Sequence, residues 1–184
     1  MKELKVPISD ETIRDLKMGD VVCITGKIYT ARDAAHKKLV ELIEAGKKPP
    51  FDFSGQVVFY AGPSPAKPGR PIGSIGPTTA GRMDLYAPFL IVKGLKIMIG
   101  KGLRSGAVKD AIVKYGGVYF AATGGIAALM AKCVTSSRLI AFEELGTEAV
   151  RELEVERLPL VVAIDHCGNG LYESGRLKYS RVTG

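Results

Sequence analysis

The chain has no tryptophan, few other aromatics, three cysteines and two histidines in 184 residues. With aromatics at 7%, it offers few platforms for stacking nucleic-acid bases. Cys23, Cys133 and Cys167 are too few, and odd in number, for a disulfide framework. They are also too far apart in sequence to share metal-ligand spacing. No run approaches the roughly twenty apolar residues that a membrane helix needs. Met1 to Asp10 carries Lys2, Glu3 and Lys5 and lacks the apolar core of a secretion signal. No G-x-G-x-x-G is present. Gly94 to Lys101 has one residue too many for a P-loop, and Gly102 stands where magnesium would need Ser or Thr. These absences point to a soluble, cytoplasmic chain with no metal site of its own, folding as one domain over residues 1–184.

Apolar residues make up 46% and charged residues 24%, which excludes disordered and low-complexity classes. Lys and Arg total 26 against 19 Asp and Glu, a formal charge of +7. A basic balance fits nucleic-acid binding, a solvated surface without a specific partner, or a site for a small anion. The basic residues are scattered rather than striped with aromatics, and composition does not separate these three.

Strand and helix signals interleave, predicting a layered α/β fold with a mixed sheet. Lys5–Ser9 reads as an edge strand, Asp10–Leu16 as a capped helical turn, and Val21–Thr25 as a buried strand. Ala31–Ala45 is helical, with Ala35, Leu39, Leu42 and Ile43 on one face. After the strand Val57–Ala61, residues 62–77 hold five of the ten prolines, a long loop of the kind that is often functional. A helix is expected from Thr78 towards Val92, a strand at Leu95–Ile99, and a capped helix at Ser105–Tyr115 with Ala107, Ile112 and Val113 as apolar positions. The strand Val118–Ala122 and the helix Ile126–Lys132 follow. The remainder reads as strands at 139–142, 150–155 and 160–164, with a turn at Gly168-Asn-Gly170.

In Gly76-Pro-Thr-Thr-Ala-Gly-Arg-Met-Asp84, a helix opening at Thr78 would offer free N–H groups, with Arg82 one turn up. That makes either a carboxylate-sized anion site or an ordinary N-cap with a solvated arginine. Lys101, between Gly100 and Gly102, leaves a strand where α/β ligand sites gather, though a solvated turn lysine fits equally. Arg32 stands at the end of a strand-to-helix connection, a common ligand position, though a helix-start arginine paired with Asp33 or a neighbour is the commoner fate of such a residue alone. His36 reads as a packing residue or a catalyst one turn along. Adjacent strand residues point to opposite faces, so Asp165-His166-Cys167 reads as structural.

Together with Thr30-Ala-Arg-Asp-Ala-Ala-His-Lys-Lys-Leu39, Lys114-Tyr-Gly-Gly117, Glu144-Leu-Gly146 and Val162-Ala-Ile-Asp-His-Cys-Gly-Asn169, these segments follow a recognisable order. The chain resembles, over essentially its whole length, the β subunit of class I (iron–sulfur) fumarate hydratases, equivalent to the C-terminal domain of single-chain members. The related L-tartrate dehydratase β subunit differs around Ala34-Ala35 and at Ala80-Gly81.

The resemblance implies a swivelling-type β/β/α domain and reversible hydration of fumarate to (S)-malate. It also implies a [4Fe–4S] cluster held by an α subunit, whose open iron acts as a Lewis acid on the substrate oxygen. This chain would bind no metal, be inactive alone, and complete the site in an α2β2 complex, with no nucleic-acid or membrane partner. Arg32 and Arg82 match arginines that clamp substrate carboxylates, and Thr79 and Gly81 lie in the same motif as further substrate contacts. Thr78 matches the threonine assigned as the base at malate C3, and Lys101 a lysine of that site. A threonine hydroxyl is too weak an acid to be a base unaided, and Lys101 is the expected cation beside it. Asp33, His36 and Asp84 are supporting residues. Two alternatives remain: a dehydratase for L-tartrate or another hydroxy diacid, and a basic nucleic-acid-binding module.

Overall fold

The computed structural model describes residues 1–179. Its strands are β1 (Lys2–Lys5), β2 (Val21–Thr30), β3 (Val57–Phe59), β4 (Ile97–Gly100), β5 (Val118–Ala121), β6 (Val134–Ala141) and β7 (Val150–Ile164). They form a mixed sheet in the order β1-β2-β3-β4-β5-β7-β6. β1 to β5 run parallel, and β7 is antiparallel to β5, β6 and β2. The β2–β7 pairing closes β2, β3, β4, β5 and β7 into a barrel-like ring within a layered α/β fold. Six helices accompany it among the described residues: α1 (Asp10–Arg14), α2 (Asp33–Glu44), α3 (Ala87–Val92), α4 (Gly106–Tyr115), α5 (Ala127–Lys132) and α6 (Leu171–Tyr179).

Strands β3 and β4 are buried at every residue, as expected of parallel strands covered on both faces. Their period-2 alternation sorts the core into two clusters. Val57, Phe59, Ile97, Ile99 and Phe120 share one with Ile24 of β2 and Val162 of β7. Val58, Met98 and Tyr119 pack in the other with Leu39 of α2, Leu90 of α3 and Ile112 of α4.

Several elements differ from the sequence expectation. The first strand lies at Lys2–Lys5, before Pro7, although Val6 and Ile8 still donate to Thr25 and Gly55 carbonyls. The helix expected from Thr78 to Val92 is broken into a 3-10 turn, Ala80–Met83, and α3. Pro88 explains the break: it cannot donate inside a helix but sits without cost in the first turn of a new one. In α4, capped by Ser105 and ended by left-handed Gly116, the buried positions are Val108, Ala111 and Ile112. Ala107 and Val113 are exposed, so the apolar face is rotated from the expected one. The two strands expected at 150–155 and 160–164 are one fifteen-residue strand, β7. Glu156-Arg157 and Pro159 interrupt the apolar pattern between the two expected strands, and Arg157 takes φ 50° without ending the strand. α6 has no counterpart in the sequence reading; its amphipathic signal is weak.

Candidate functional site

Because β2, β3 and β4 are parallel, the residues that follow them emerge at one edge of the ring: Arg32, Tyr60 and Lys101. The segment Thr78–Ala80 is laid across that edge. Thr78 N–H donates to the Tyr60 carbonyl (2.7 Å), Lys101 N–H to the Thr78 carbonyl (3.2 Å), and Ala80 N–H to the Lys101 carbonyl (2.8 Å). Thr79 and Lys101 thereby form an isolated parallel bridge. Gly100 permits the approach, since a Cβ there would lie 2.9 Å from Tyr60 Cδ2 and 3.0 Å from Ala80 Cβ. Gly102 follows with φ +84°.

This geometry replaces the helix N-terminus expected at Thr78. The N–H groups of Thr78 and Ala80 are taken up by neighbouring strand ends, and Thr79 makes no side-chain cap. Thr78 is half-buried, while Thr79, Gly81, Arg82 and Lys101 are exposed. The Thr78–Asp84 motif and the Lys101 loop are neighbours.

Arg32 stands at the N-cap of α2 and makes no side-chain cap there. Its Nη2 lies 2.9 Å from Glu148 Oε1 and 3.9 Å from Asp33 Oδ1. Glu148 Oε2 accepts the Ala34 N–H at 3.2 Å, capping α2 from a distant part of the chain. On the other side, Arg82 Nη2 donates to Asp33 Oδ2 at 2.7 Å. Four charges thus alternate in the order Glu148, Arg32, Asp33, Arg82, joining the end of β2 to the 3-10 turn. The Arg32 Nε is buried and has no hydrogen-bond partner. A guanidinium carries five donors, so both arginines can hold their internal carboxylate and still offer N–H groups to another.

His36 is buried, its Nδ1–H donating to the Arg32 carbonyl (2.9 Å) and its ring edge-on to Tyr60 (5.1 Å). Burial lowers its pKa to about 4, with the Arg104 charge adding to the effect, so the imidazole is neutral near pH 7. The ring is a packing element that holds the Arg32 backbone. Asp84 Oδ1 accepts from Arg104 Nε at 2.7 Å, and Oδ2 accepts the Ser105 N–H.

Sequence reasoning passed over Glu148 and Arg104. Glu148 lies just beyond the Glu144–Gly146 motif, and Arg104 three residues after Lys101, but nothing local marks either as paired or buried. Asp165 has the structural role expected of it, accepting from the backbone N–H groups of Met18, Cys167 and Asn169. Cys23 is buried, Cys133 half-buried and Cys167 exposed, and all are free thiols. Among the described residues no three His, Cys, Asp or Glu side chains gather as a metal site. No helix among them is long and apolar enough to cross a membrane.

Residues 2–175 match the model of the family described as Fumarase C-terminus. The chain is 44% identical over 152 residues to "Fumarate hydratase class I, anaerobic" of Escherichia coli K12, covering 82% of this chain and 28% of that protein. It is 41% identical over 172 residues to "Putative L(+)-tartrate dehydratase subunit beta" of Methanocaldococcus jannaschii, covering 90% of this chain and 88% of that one. With "Fumarate hydratase 2" of Leishmania major it shares 40% over 174 residues, 92% of this chain and 31% of the relative. The chain therefore spans less than a third of these two fumarate hydratases and most of the tartrate dehydratase relative.

Proposed function

Since the chain belongs to the Fumarase C-terminus family, we propose that it acts as a single-domain β subunit of a cytoplasmic hydro-lyase that interconverts fumarate and (S)-malate. The observation that carries this reading is the meeting of Thr78, Arg82 and Lys101 with the Arg32–Asp33 pair at one strand edge. Arg32 and Arg82 bind the carboxylates of a rigid diacid, each with donors beyond those its internal partner uses. Thr79 and Gly81, exposed on the same segment, line the approach of the substrate. The Thr78 hydroxyl is the group offered to the proton at C3. Lys101, bridged to the same segment, supplies the positive charge that lowers the cost of an alkoxide there.

The donors of this chain do not fit an iron–sulfur cluster. Its thiols range from buried to exposed, and no set of three ligands converges among the described residues. The cluster that class I membership implies therefore belongs, in this reading, to an α subunit within an α2β2 complex, and the isolated chain is inactive. The 88% coverage of the tartrate dehydratase relative named as subunit beta supports a two-chain arrangement. The same relative supports a second reading, dehydration of L-tartrate.

The test is co-expression with the candidate α chain under anaerobic conditions and assay on (S)-malate, fumarate and L-tartrate. Malate dehydration by the complex, but by neither chain alone, is expected. Turnover of L-tartrate in preference to malate would overturn the fumarase assignment and keep the hydro-lyase class.

A further inference from the structure

Arg104 carries a full charge on a side chain with no exposed surface. Burying a guanidinium is costly, and a packed hydrophobe in its place is often as stable or more so. Stability alone is therefore a poor account of this residue. What it touches gives a better one.

Its Nε donates to Asp84 Oδ1 at 2.7 Å. Its guanidinium lies over the rings of Tyr60 and Tyr119, 5.2 and 5.0 Å from their centroids, and Nη1 reaches Met98 Sδ at 3.4 Å. Three of these neighbours each anchor one candidate site residue. Asp84 ends the 3-10 turn that bears Arg82 and also accepts the Ser105 N–H. The Tyr60 carbonyl accepts the Thr78 N–H. The Tyr119 hydroxyl donates to the Gly102 carbonyl at 3.0 Å, one residue beyond Lys101.

We infer that Arg104 is a positioning residue: one buried guanidinium fixes Thr78, Arg82 and Lys101 relative to one another through Tyr60, Asp84 and Tyr119. This rests on the functional reading of those three residues. Arg104 itself, wholly buried, does not meet substrate. Arginine suits the task because its guanidinium donates to a carboxylate through Nε while lying near the rings of two tyrosines, which a lysine ammonium cannot reproduce. Burial opposes its charge, but Tyr60, Asp84 and Tyr119 together hold its pKa above the ordinary arginine value. The clamp is therefore permanently charged and not a pH switch.

The test compares wild type, Arg104→Met, Arg104→Lys and the double variant Arg104→Met/Asp84→Asn, which removes both charges of the pair. In the isolated chain, amide exchange at Thr78, Ala80 and Lys101 is expected to quicken at least tenfold in all three variants. Exchange at His36, whose N–H bonds within the start of α2, should stay unchanged. In the complex with the α chain, Arg104→Met is expected to lower kcat about 100-fold, more than it raises KM, as for a misplaced reacting group. The double variant should regain the unfolding midpoint lost by Arg104→Met but not kcat, and Arg104→Lys should rescue little. Recovery of kcat together with stability in the double variant, or unchanged exchange at the three amides, would overturn the inference. A wild-type complex inactive on all diacids would instead sink the functional reading, and the exchange measurement would still decide the clamp.

Discussion

Thr79 and Lys101 pair as a parallel bridge just past the end of β4, so two motifs distant in sequence share one strip of backbone. The strip exists because Gly100 has no side chain. An alanine there would put its Cβ 2.9 Å from Tyr60 Cδ2 and 3.0 Å from Ala80 Cβ, both in the buried core. Gly100→Ala is expected to cost about 1–3 kcal/mol, as overpacking does, and to lower kcat/KM by shifting the Thr78 segment. Gly102→Ala meets nothing within 4 Å but adopts φ +84°, so it should lose only about 1–2 kcal/mol to backbone strain. Denaturant unfolding and steady-state kinetics on both variants check this. Full activity in Gly100→Ala would show that the bridge does not position the site.

Thr78 and Arg82 lie four residues apart but should fail differently. In the proposed reaction Thr78→Ala removes a group that acts only as the proton moves, so kcat should fall by about 100-fold or more, within the range for lost acid–base catalysts, with KM little changed. In the proposed reaction Arg82→Ala removes a carboxylate contact present in both ground and transition states. It should raise KM and lower kcat together. Near-wild-type kcat in Thr78→Ala would remove the threonine from the proton transfer.

Glu148 holds Arg32 at 2.9 Å and caps Ala34 at 3.2 Å, binding the two ends of one turn. Glu148→Gln keeps an acceptor for the Ala34 N–H but removes the charge facing Arg32. Both partners of that pair are about one-fifth exposed, so the stability change should stay near 1 kcal/mol or less. The expected signature is a several-fold rise in KM with a smaller change in kcat, as Arg32 loses its fixed direction. A lowered KM would instead mean that Glu148 competes with substrate for the guanidinium.

The fold class and most elements were legible because they follow from local pattern. The β-branched runs of β2 to β4, the Ser105 cap and the Gly116 stop of α4 carry their structure in a few residues. What was not legible depends on long-range contact. The Thr78 segment reads as a helix start, yet its N–H groups are claimed by Tyr60 and Lys101 from other strands. Val113 looks like a core residue of α4 and is exposed, because the face the helix turns inward is set by what lies beneath it. Arg32, Arg82 and Lys101 stood out through their setting in Gly-rich or strand-end motifs. Arg104 and Glu148 did not, because a buried or paired charge has the same letter as a solvated one.

His36 gives the pH behaviour of the fold a definite sign. Its folded pKa lies near 4, lowered mainly by burial, against an unfolded value of about 6.5. Above pH 6.5 both states hold a neutral ring and nothing is lost. Between about 6.5 and 4 the unfolded chain takes up a proton that the folded chain refuses, so stability falls with pH, by on the order of 3 kcal/mol across the window. Removing the titrating ring should remove that slope. In His36→Asn the amide can still donate to the Arg32 carbonyl in place of Nδ1–H, but the contact with Tyr60 shrinks. The variant should be less stable at pH 7.5, and its urea midpoint should fall less steeply towards pH 4.5 than that of the wild type. Losses from the aspartates and glutamates are shared by both proteins and cancel in the difference. Parallel midpoint curves for the two would mean that His36 is not held neutral by the fold.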